Sequence, residues 1–199
     1  MIGSWCLSVG MQAAKVDTLS VHSDAMNKEV QVITICPDKA MAGEKCPVLY
    51  LLHGYGGNAG TWLGIKPELP QIADKEGIIF VCPDGKNSWY WDSPLNKEYR
   101  YETFVSKELV NYIDKNFTTK VERGGRAITG LSMGGHGSLW LSIRHKDVFG
   151  GGGSMSGGLD IRPFPNNWEM KKQLGEEASN KQRWDEHTVI NQLDKIKKW

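Results

Sequence analysis

The first regular pattern of hydrophobic and polar residues predicts two neighbouring strands. The segments "VDTLSVHS" (16–23) and "KEVQVITIC" (28–36) are joined by the short polar turn "DAMN". The second segment alternates polar with apolar residues, as a strand with one buried face does. We therefore expect two consecutive half-buried strands near the start of the chain.

Later segments have a pattern that is typical of strands buried on both faces. "PVLYLLH" (47–53), "GIIFVCPDG" (77–85) and "RAITG" (126–130) are short, largely apolar and followed by turn residues. Strands of this composition lie in the interior of parallel sheets. "VFGGGGSMS" (148–156) is predicted as a further central strand that is unusually rich in glycine.

Helical patterns separate these strands. The clearest is "ETFVSKELVNYIDKNF" (102–117), in which Val105, Leu109 and Ile113 share one face. We also predict an interrupted helix over 65–77 and helices over 135–145, 167–174 and 188–197. Strands that alternate with helices predict an α/β fold with a mainly parallel, doubly wound sheet.

Composition narrows the range of functions. A chain of 199 residues with 40% hydrophobic residues indicates one globular domain, or a fragment of a somewhat larger one. Its 24 basic and 23 acidic residues nearly cancel, so nucleic acid and anionic membranes are not expected partners. Its 8 tryptophans favour a surface for flat or ring-shaped ligands, although packing in the core explains most of them equally well.

The N-terminal segment resembles part of an export signal. Residues from Ile2 to Ala14 carry no charge, which is too short a stretch for the roughly 20 residues that span a bilayer. Ala13 and Ala14 resemble a cleavage region, but the basic start of a signal peptide is absent. We assign residues 1–15 to a signal-peptide remnant, with a structured strand as the alternative, and residues 16–199 to the domain. This predicts a periplasmic or secreted protein, with the cytoplasm as the alternative.

The cysteines do not form a metal or redox motif. Cys6, Cys36, Cys46 and Cys82 include no C-x-x-C pair. Cys36 and Cys46 flank a polar turn and could pair in an oxidising compartment, and two unpaired thiols are an equal alternative.

A candidate nucleophile lies where the strand "RAITG" ends. Gly130, Ser132 and Gly134 match G-x-S-x-G between a buried strand and a helix. Such a tight turn forces its central residue to a positive φ, and side chains at the two glycine positions would collide across it. The turn would lift the Ser132 hydroxyl clear of the sheet. The alternative is an idle serine in a glycine-rich turn.

The loop after "LLH" predicts an oxyanion hole. Stabilising an oxyanion requires two backbone N–H groups aimed at one point. We assign them to Met133, which follows the nucleophile, and to Tyr55, with Gly56 as the next choice. His53 is predicted to shape this loop and not to act as the base.

The same loop allows a competing hypothesis. "GYGGNA" (54–59) fits a variant dinucleotide-binding fingerprint, with Asp84 as the acid on the next strand. That site needs a helix to open at once, and "NAGTWLGIKPELP" is a poor helix start. The glycines at 150–153 lack the Lys-Ser/Thr of a phosphate-binding loop and indicate tight packing beside the Ser132 turn.

An aromatic loop follows the strand that ends in "FVCPD". Loops at the carboxyl ends of parallel strands build ligand sites in such sheets. Trp89, Tyr90 and Trp91 are therefore predicted substrate-binding residues that stack on a sugar or an aryl acyl group. Alternatively, they cover the core under a long loop.

Several segments together resemble the esterase D-like α/β-hydrolases, which include feruloyl and acetylxylan esterases, S-formylglutathione hydrolase and the mycolyltransferase antigens. They are "LLHGYGGNAGTW", "YETFVSKELVNYID", "RAITGLSMGGHGSLWLSIRHKDVF" and "GSMSGGLDI". The resemblance extends from Val16 to Ile161. It implies a three-layer α/β-hydrolase sandwich and hydrolysis of acyl esters by a Ser–acid–His triad. It also implies no metal and no organic cofactor.

The sequence departs from this family after Ser132. The acid and the histidine of the family each follow a further central strand, and no such strand is recognisable here. We expect none of the remaining candidates to be the base or the acid of the triad. These candidates are His136, His145, His187, Asp147, Asp160, Asp185 and Asp194. The sequence therefore predicts a C-terminally truncated esterase that lacks its last two strands and its catalytic acid and histidine.

The expected substrate is a small-molecule or polysaccharide-linked ester. The aromatic loop and the export-like N-terminus favour acetyl or feruloyl esters of plant polysaccharide, which would make the protein an enzyme of carbohydrate degradation. One alternative is a thioesterase of the S-formylglutathione type. Another is a noncatalytic carbohydrate-binding relic. Stable membrane insertion is not expected, and the oligomeric state stays open.

Overall fold

The structure is a computed structural model that describes the backbone of residues 14–198 and the side chains of residues 14–196. Most of the predicted signal remnant, including Cys6, lies outside the described residues. The first strand begins at Lys15, directly after the buried Ala14. Cys36, Cys46 and Cys82 are buried free thiols. No helix within the described residues is long and apolar enough to cross a bilayer.

One six-stranded sheet organises the chain, with the strand order β1-β2-β4-β3-β5-β6. The strands are β1 (Lys15–Ser23), β2 (Lys28–Cys36), β3 (Val48–Leu52), β4 (Ile79–Pro83), β5 (Arg126–Gly130) and β6 (Gly151–Gly152). β2 runs antiparallel to both β1 and β4, whereas β4, β3, β5 and β6 are parallel neighbours. The predicted α/β class with a mostly parallel sheet is confirmed.

Helices connect the parallel strands. They are α1 (Asp38–Met41), α2 (Thr61–Ile65), α3 (Leu69–Glu76), α4 (Tyr101–Thr103), α5 (Val110–Asn116), α6 (Met133–Arg144), α7 (Met170–Leu174) and α8 (Lys181–Glu186). A π-helical stretch, Phe104–Leu109, joins α4 to α5, so the predicted long helix is continuous. Short 3₁₀ helices cover Arg123–Gly125, Glu177–Ser179 and Val189–Lys198. The helix predicted over 188–197 is therefore 3₁₀, and the one predicted over 167–174 is shorter.

The sheet has a hydrophobic cluster on each face, which explains the wholly apolar strands. Along β3, Tyr50 and Leu52 enter the larger cluster, and Leu51 enters the smaller one, because successive side chains point to opposite faces. Helix α6 adds Trp140 to the larger cluster, and α3 adds Ala73 to the smaller one. Helices thus cover both faces, as a three-layer sandwich requires.

The predicted glycine-rich strand is much shorter than its sequence suggested. β6 is limited to Gly151–Gly152, which pair with Ala127 and Ile128 of β5. A Cβ atom on Gly152 would lie 2.1 Å from the Ser142 hydroxyl of α6. The glycine therefore allows the strand backbone to approach the helix closely.

Candidate active site

Ser132 occupies a strained turn between β5 and α6. Its φ of 54° and ψ of −115° lie in a region that residues with a side chain rarely adopt. The side chain is exposed, although the helix that follows it is buried. A sharp turn between a strand and a helix thus presents the hydroxyl to solvent, as the G-x-S-x-G motif predicts.

The glycines on either side of Ser132 are required by close backbone contacts. A Cβ atom on Gly130 would lie 2.2 Å from the carbonyl oxygen of Gly134. A Cβ atom on Gly134 would lie 2.2 Å from the carbonyl oxygen of Leu52, at the end of β3. The predicted collision across the turn is therefore present, and the turn also packs against the neighbouring strand.

Backbone hydrogen bonds hold the turn on both sides. The Ser132 amide donates to the Met155 carbonyl at 2.9 Å, and the Met155 amide donates to Gly130 at 2.9 Å. On the other side, the Leu131 amide donates to Leu52 at 3.2 Å. These bonds extend the pairing of β5 beyond its end and maintain the strained conformation of Ser132.

Two free amides adjoin the serine. Among the described residues, neither the Tyr55 amide nor the Met133 amide donates a hydrogen bond. The Gly56 amide, by contrast, donates to Oδ1 of Asn87 at 2.9 Å. A Cβ atom on Gly54 would lie 3.4 Å from Cβ of Ser132, so this loop directly contacts the turn. The arrangement fits an oxyanion hole made by Tyr55 and Met133, and it disfavours Gly56.

His53 holds the loop in place. Its side chain is buried, its Nδ1 lies 2.7 Å from the Gly54 carbonyl, and its Nε2 lies 2.9 Å from the Gly85 amide. A carbonyl only accepts and an amide only donates, so Nδ1 carries the proton and Nε2 accepts. Both nitrogens are occupied, which agrees with the predicted structural role.

The dinucleotide hypothesis is wrong for this loop. The first helix after "GYGGNA" begins only at Thr61, so no helix opens directly from the glycines as the fingerprint requires. Asp84 is buried and accepts hydrogen bonds from the Lys86 amide at 2.9 Å and from Nζ of Lys86 at 2.7 Å. Burial alone would raise the pKa of Asp84, but the hydrogen bonds from its neighbours lower it well below the ordinary value. The carboxylate therefore stabilises its own turn.

Ser132 opens onto a pocket of about 200 Å³. Most of the lining residues are aromatic or small: Tyr55, Trp89, Ser132, Ser156, Gly157, Gly158, Phe164 and Trp168, to which Asp160, Ile161 and Met170 are added. The Trp168 ring lies 6.2 Å from the Trp89 ring and 5.4 Å from the Phe164 ring, measured between centroids. The pocket can therefore hold a flat apolar group next to the serine hydroxyl.

The three consecutive aromatic residues predicted to bind substrate have different positions. Trp89 lines the pocket. Tyr90 and Trp91 have 0% exposed surface and belong to the larger core cluster. Tyr90 donates a hydrogen bond to the His53 carbonyl at 3.2 Å, and Trp91 contacts the buried face of α6 through His136. Their predicted contact with substrate is therefore corrected to a packing role, because both rings are fully enclosed. Trp89 is 4% exposed and lies in the same cluster, but it also lines the pocket.

Strained residues concentrate around this site. Within residues 14–198, the positive-φ residues other than glycine are Asn27 in the β1–β2 turn and Lys86, Trp89, Tyr90, Ser132, Ser156, Trp168 and Glu169. All except Asn27 lie in segments that follow the carboxyl ends of β4, β5 and β6. Backbone strain of this kind accumulates at functional sites, which supports the location of the site.

Comparison with known proteins agrees with this geometry. The family model named Esterase matches residues 23–197. The chain belongs to the Esterase family. An acetyl esterase of Caldicellulosiruptor saccharolyticus is 29% identical over 151 residues, which are 72% of this chain and 56% of that protein. An endo-1,4-beta-xylanase/feruloyl esterase of Xylanibacter ruminicola is 34% identical over 124 residues, which are 58% of this chain and 17% of that protein.

Solved structures of serine hydrolases share the fold of this Esterase family member. A ferulic acid esterase has a TM-score of 0.72 and 28% identity, and the match covers 92% of this chain and 72% of that one. FphF, a fluorophosphonate-binding serine hydrolase of Staphylococcus aureus, has a TM-score of 0.79 and 19% identity, with 92% and 74% covered. The fold is thus that of the α/β-hydrolases. The chain spans about half the length of the curated acetyl esterase it matches.

The histidines after Ser132 have other partners. His136 is fully buried on α6, where its Nε2 accepts from Trp91 and its Nδ1 lies 2.8 Å from the Gly158 carbonyl. His145 pairs with the Glu102 carboxylate at 2.8 Å. The His187 ring stacks on Trp140 at 5.4 Å, and its Nδ1 bonds to the carbonyl of Arg183. None of the three histidines lines the Ser132 pocket.

The carboxylates after Ser132 offer no better partner. Asp160 lines the pocket, but Nε of Arg162 holds it at 2.8 Å, and Asp185 pairs with the same guanidinium at 3.0 Å. Asp147 and Asp194 are exposed. Within the described part of the chain, no histidine or carboxylate forms a hydrogen bond with the Ser132 hydroxyl.

Sequence reasoning missed several residues of the site. Phe164 and Trp168 line the pocket, and Asn87 bonds to the oxyanion loop. The aromatic residues in "RPFPNNWEM" were a usable signal, because the segment follows β6 at the same edge of the sheet. Asn87 had no such signal, since its role depends on a loop about 30 residues away in sequence.

Proposed function

We propose that this chain carries the nucleophile and the oxyanion hole of a serine carboxylesterase. The observation that carries the proposal is the exposed, strained Ser132 beside the free amides of Tyr55 and Met133. Ser132 Oγ attacks the ester carbonyl carbon, its proton passes to a base, and the two amides stabilise the oxyanion. The alcohol leaves with a proton, and water then releases the acid from the acyl-enzyme.

The base and its acid are proposed to lie outside the described residues. The histidines at positions 136, 145 and 187 already bond to other groups and do not line the pocket. In the Ser–His–acid triad, a histidine must lie within hydrogen-bond reach of the serine. The whole protein's activity therefore has to be measured on protein expressed from its complete gene.

The pocket favours an aromatic acyl group over acetyl. Trp89, Phe164 and Trp168 supply flat apolar walls directly beside Ser132, which suits a feruloyl ring better than a methyl group. Two proteins with similar sequences, the acetyl esterase and the xylanase/feruloyl esterase, carry names that match these alternatives. We propose a hydroxycinnamoyl ester of plant polysaccharide as the substrate and an acetyl ester as the second candidate.

A fluorophosphonate probe tests the nucleophile. The protein expressed from its complete gene should be labelled at Ser132, and Ser132→Ala should not be labelled. Rates on methyl ferulate, acetylated xylan and S-formylglutathione then rank the substrates, and methyl ferulate should have the largest kcat/KM. A folded protein that is neither labelled nor active on any of them would be a noncatalytic relic. A preference for S-formylglutathione would favour the thioesterase alternative.

A further inference from the structure

The oxyanion loop is a turn whose conformation depends on one peptide. The Gly57 amide donates to the Gly54 carbonyl at 3.0 Å, and Gly56 has a φ of +75°. These features identify a type II turn with Tyr55 and Gly56 at its centre. Rotation of the central peptide would convert it to type I, in which the φ of the second central residue is negative. The Gly56 amide belongs to that peptide.

Asn87 bonds to the peptide that would rotate. Its Oδ1 accepts from the Gly56 amide at 2.9 Å, and its Nδ2 donates to Oε2 of Glu169 at 3.2 Å. If the side-chain amide of Asn87 were flipped, its NH₂ group would face the N–H donor of Gly56 and its oxygen would face the Glu169 carboxylate. Glu169 therefore keeps the Asn87 oxygen directed at Gly56, which favours the type II turn.

Glu169 also contacts the pocket wall and the loop. It follows Trp168, and both have left-handed backbones with φ values of 56° and 48°. The Trp168 carbonyl accepts from the Trp89 indole at 3.2 Å, and Glu169 pairs with Lys172. Partial desolvation and the nearby Glu169 carboxylate raise the pKa of the Tyr55 hydroxyl, because the two side chains are close together.

We propose that Asn87 and Glu169 are positioning residues for the oxyanion hole, which hold the Gly54–Gly57 turn through the Gly56 amide and join it to the Trp168 wall of the pocket. This inference rests on the proposed esterase function. Neither side chain reaches the reacting atoms, since each acts through the loop that carries the Tyr55 amide. Removing the bond between Asn87 and the Gly56 amide leaves the Tyr55 donor present but less firmly oriented. Loss of this bond should therefore destabilise the transition state more than the bound ester.

Kinetics of Asn87→Ala test the proposal, with the exposed Asn166→Ala as the matched control. We expect kcat on methyl ferulate to fall about 10-fold, less than the loss expected for a missing oxyanion donor, while KM changes less than about 2-fold. The affinity for an aryl boronic acid, which mimics the tetrahedral intermediate, should fall in parallel with kcat. Equal kcat and boronate affinity in the two variants would overturn the proposal.

A reciprocal exchange separates positioning from general damage. Asn87→Asp alone brings two carboxylates together and should be as impaired as Asn87→Ala. Combining Asn87→Asp with Glu169→Gln should restore the pattern of hydrogen bonds. The amide introduced at position 169 can donate to one oxygen of the carboxylate at position 87, and the other oxygen can accept from the Gly56 amide. The double variant should recover at least half of the lost kcat. A double variant that is no better than Asn87→Asp would contradict the assignment.

Hydrogen exchange distinguishes failure of this inference from failure of the proposed function. The Gly56 amide should exchange slowly in the wild type and at least about 10-fold faster in Asn87→Ala, whether or not Ser132 reacts. Wild-type protein that lacks fluorophosphonate labelling would refute the esterase function. If the wild type is labelled but its Gly56 amide exchanges as fast as that of Asn87→Ala, the role of Asn87 is refuted and the esterase function is not.

Discussion

The Trp91 indole donates a hydrogen bond to Nε2 of His136 at 2.9 Å, deep beneath the Ser132 turn. Because Nε2 accepts this bond, the proton of the neutral ring lies on Nδ1, which donates to the Gly158 carbonyl at 2.8 Å. Burial lowers the pKa of His136 to about 4. Trp91, a predicted substrate contact, and His136, a histidine that we did not expect to be the base, therefore form one buried link between α6 and the Gly158 wall of the pocket.

This link predicts acid sensitivity. The folded state keeps His136 neutral down to about pH 4, whereas the unfolded chain binds the proton near the ordinary histidine pKa of 6.5. The stability that depends on neutral His136 is thus complete above about pH 6.5 and falls as the pH decreases towards 4, by about 3 kcal/mol. Urea unfolding of the wild type at pH 7.5 and pH 4.5 measures this loss.

The variant His136→Asn isolates the contribution of this group. It should be about 1–3 kcal/mol less stable at pH 7.5, because the Trp91 donor loses its acceptor, and its stability should depend less on pH. His22→Gln, at a half-exposed histidine, is the matched control and should retain the wild-type difference between the two pH values. An equal pH dependence in His136→Asn and the wild type would show that His136 is not the group responsible.

The glycines of the Ser132 turn predict a second experiment. Gly130→Ala places a Cβ atom 2.2 Å from the Gly134 carbonyl oxygen, and backbone atoms cannot move away without opening the turn. We expect a loss of more than about 3 kcal/mol of stability, together with loss of fluorophosphonate labelling. Gly64→Ala is the control, since nothing lies within 4 Å of its Cβ position and it should be neutral or stabilising by up to about 1 kcal/mol. Normal labelling of Gly130→Ala would contradict the close contact.

Strain at Ser132 predicts opposite effects on stability and activity. Glycine tolerates a φ of 54°, so Ser132→Gly should relieve strain and raise the free energy of unfolding by about 1 kcal/mol, while abolishing labelling. Ser132→Ala retains the Cβ atom and should be equally inactive without this gain. Chemical denaturation of the wild type, Ser132→Gly and Ser132→Ala measures their free energies of unfolding. Equal stability of the glycine and alanine variants would argue against stored strain.

The different positions of the tryptophans predict different variant phenotypes. Trp168 is 43% exposed at the pocket, so Trp168→Ala should raise KM for methyl ferulate about 10-fold and change KM for p-nitrophenyl acetate little. Trp91 is fully buried, so Trp91→Ala should cost about 3–5 kcal/mol of stability. Michaelis kinetics and urea unfolding together distinguish the two. A Trp91→Ala protein with normal stability and a raised KM for methyl ferulate would show that Trp91 contacts the substrate.

Much of the fold followed from local patterns. Alternating residues predicted β1 and β2, apolar runs predicted β3, β4 and β5, and the helical period predicted the continuous helix from Tyr101 to Asn116. The predictions failed where regular structure depended on neighbours. In "VFGGGGSMS" the regular strand covers only Gly151–Gly152, and Met155 pairs with Leu131 as an isolated bridge. The strand is short because Gly152 lies close to α6, which its sequence pattern did not indicate.

The sequence by itself determined the part of the Ser132 turn whose steric constraint acts within five consecutive residues. Gly130 contacts the backbone of Gly134 inside that turn, so the spacing of the motif reflects a local requirement. Gly134 is needed because the end of β3 at Leu52 packs against it, which is a tertiary contact. Tertiary structure alone decided which aromatic residue of Trp89, Tyr90 and Trp91 reaches the pocket. It also decided that His136 is occupied by Trp91 and Gly158. Burial and hydrogen-bond partners arise from segments far apart in sequence, and no local pattern encodes which of them will meet.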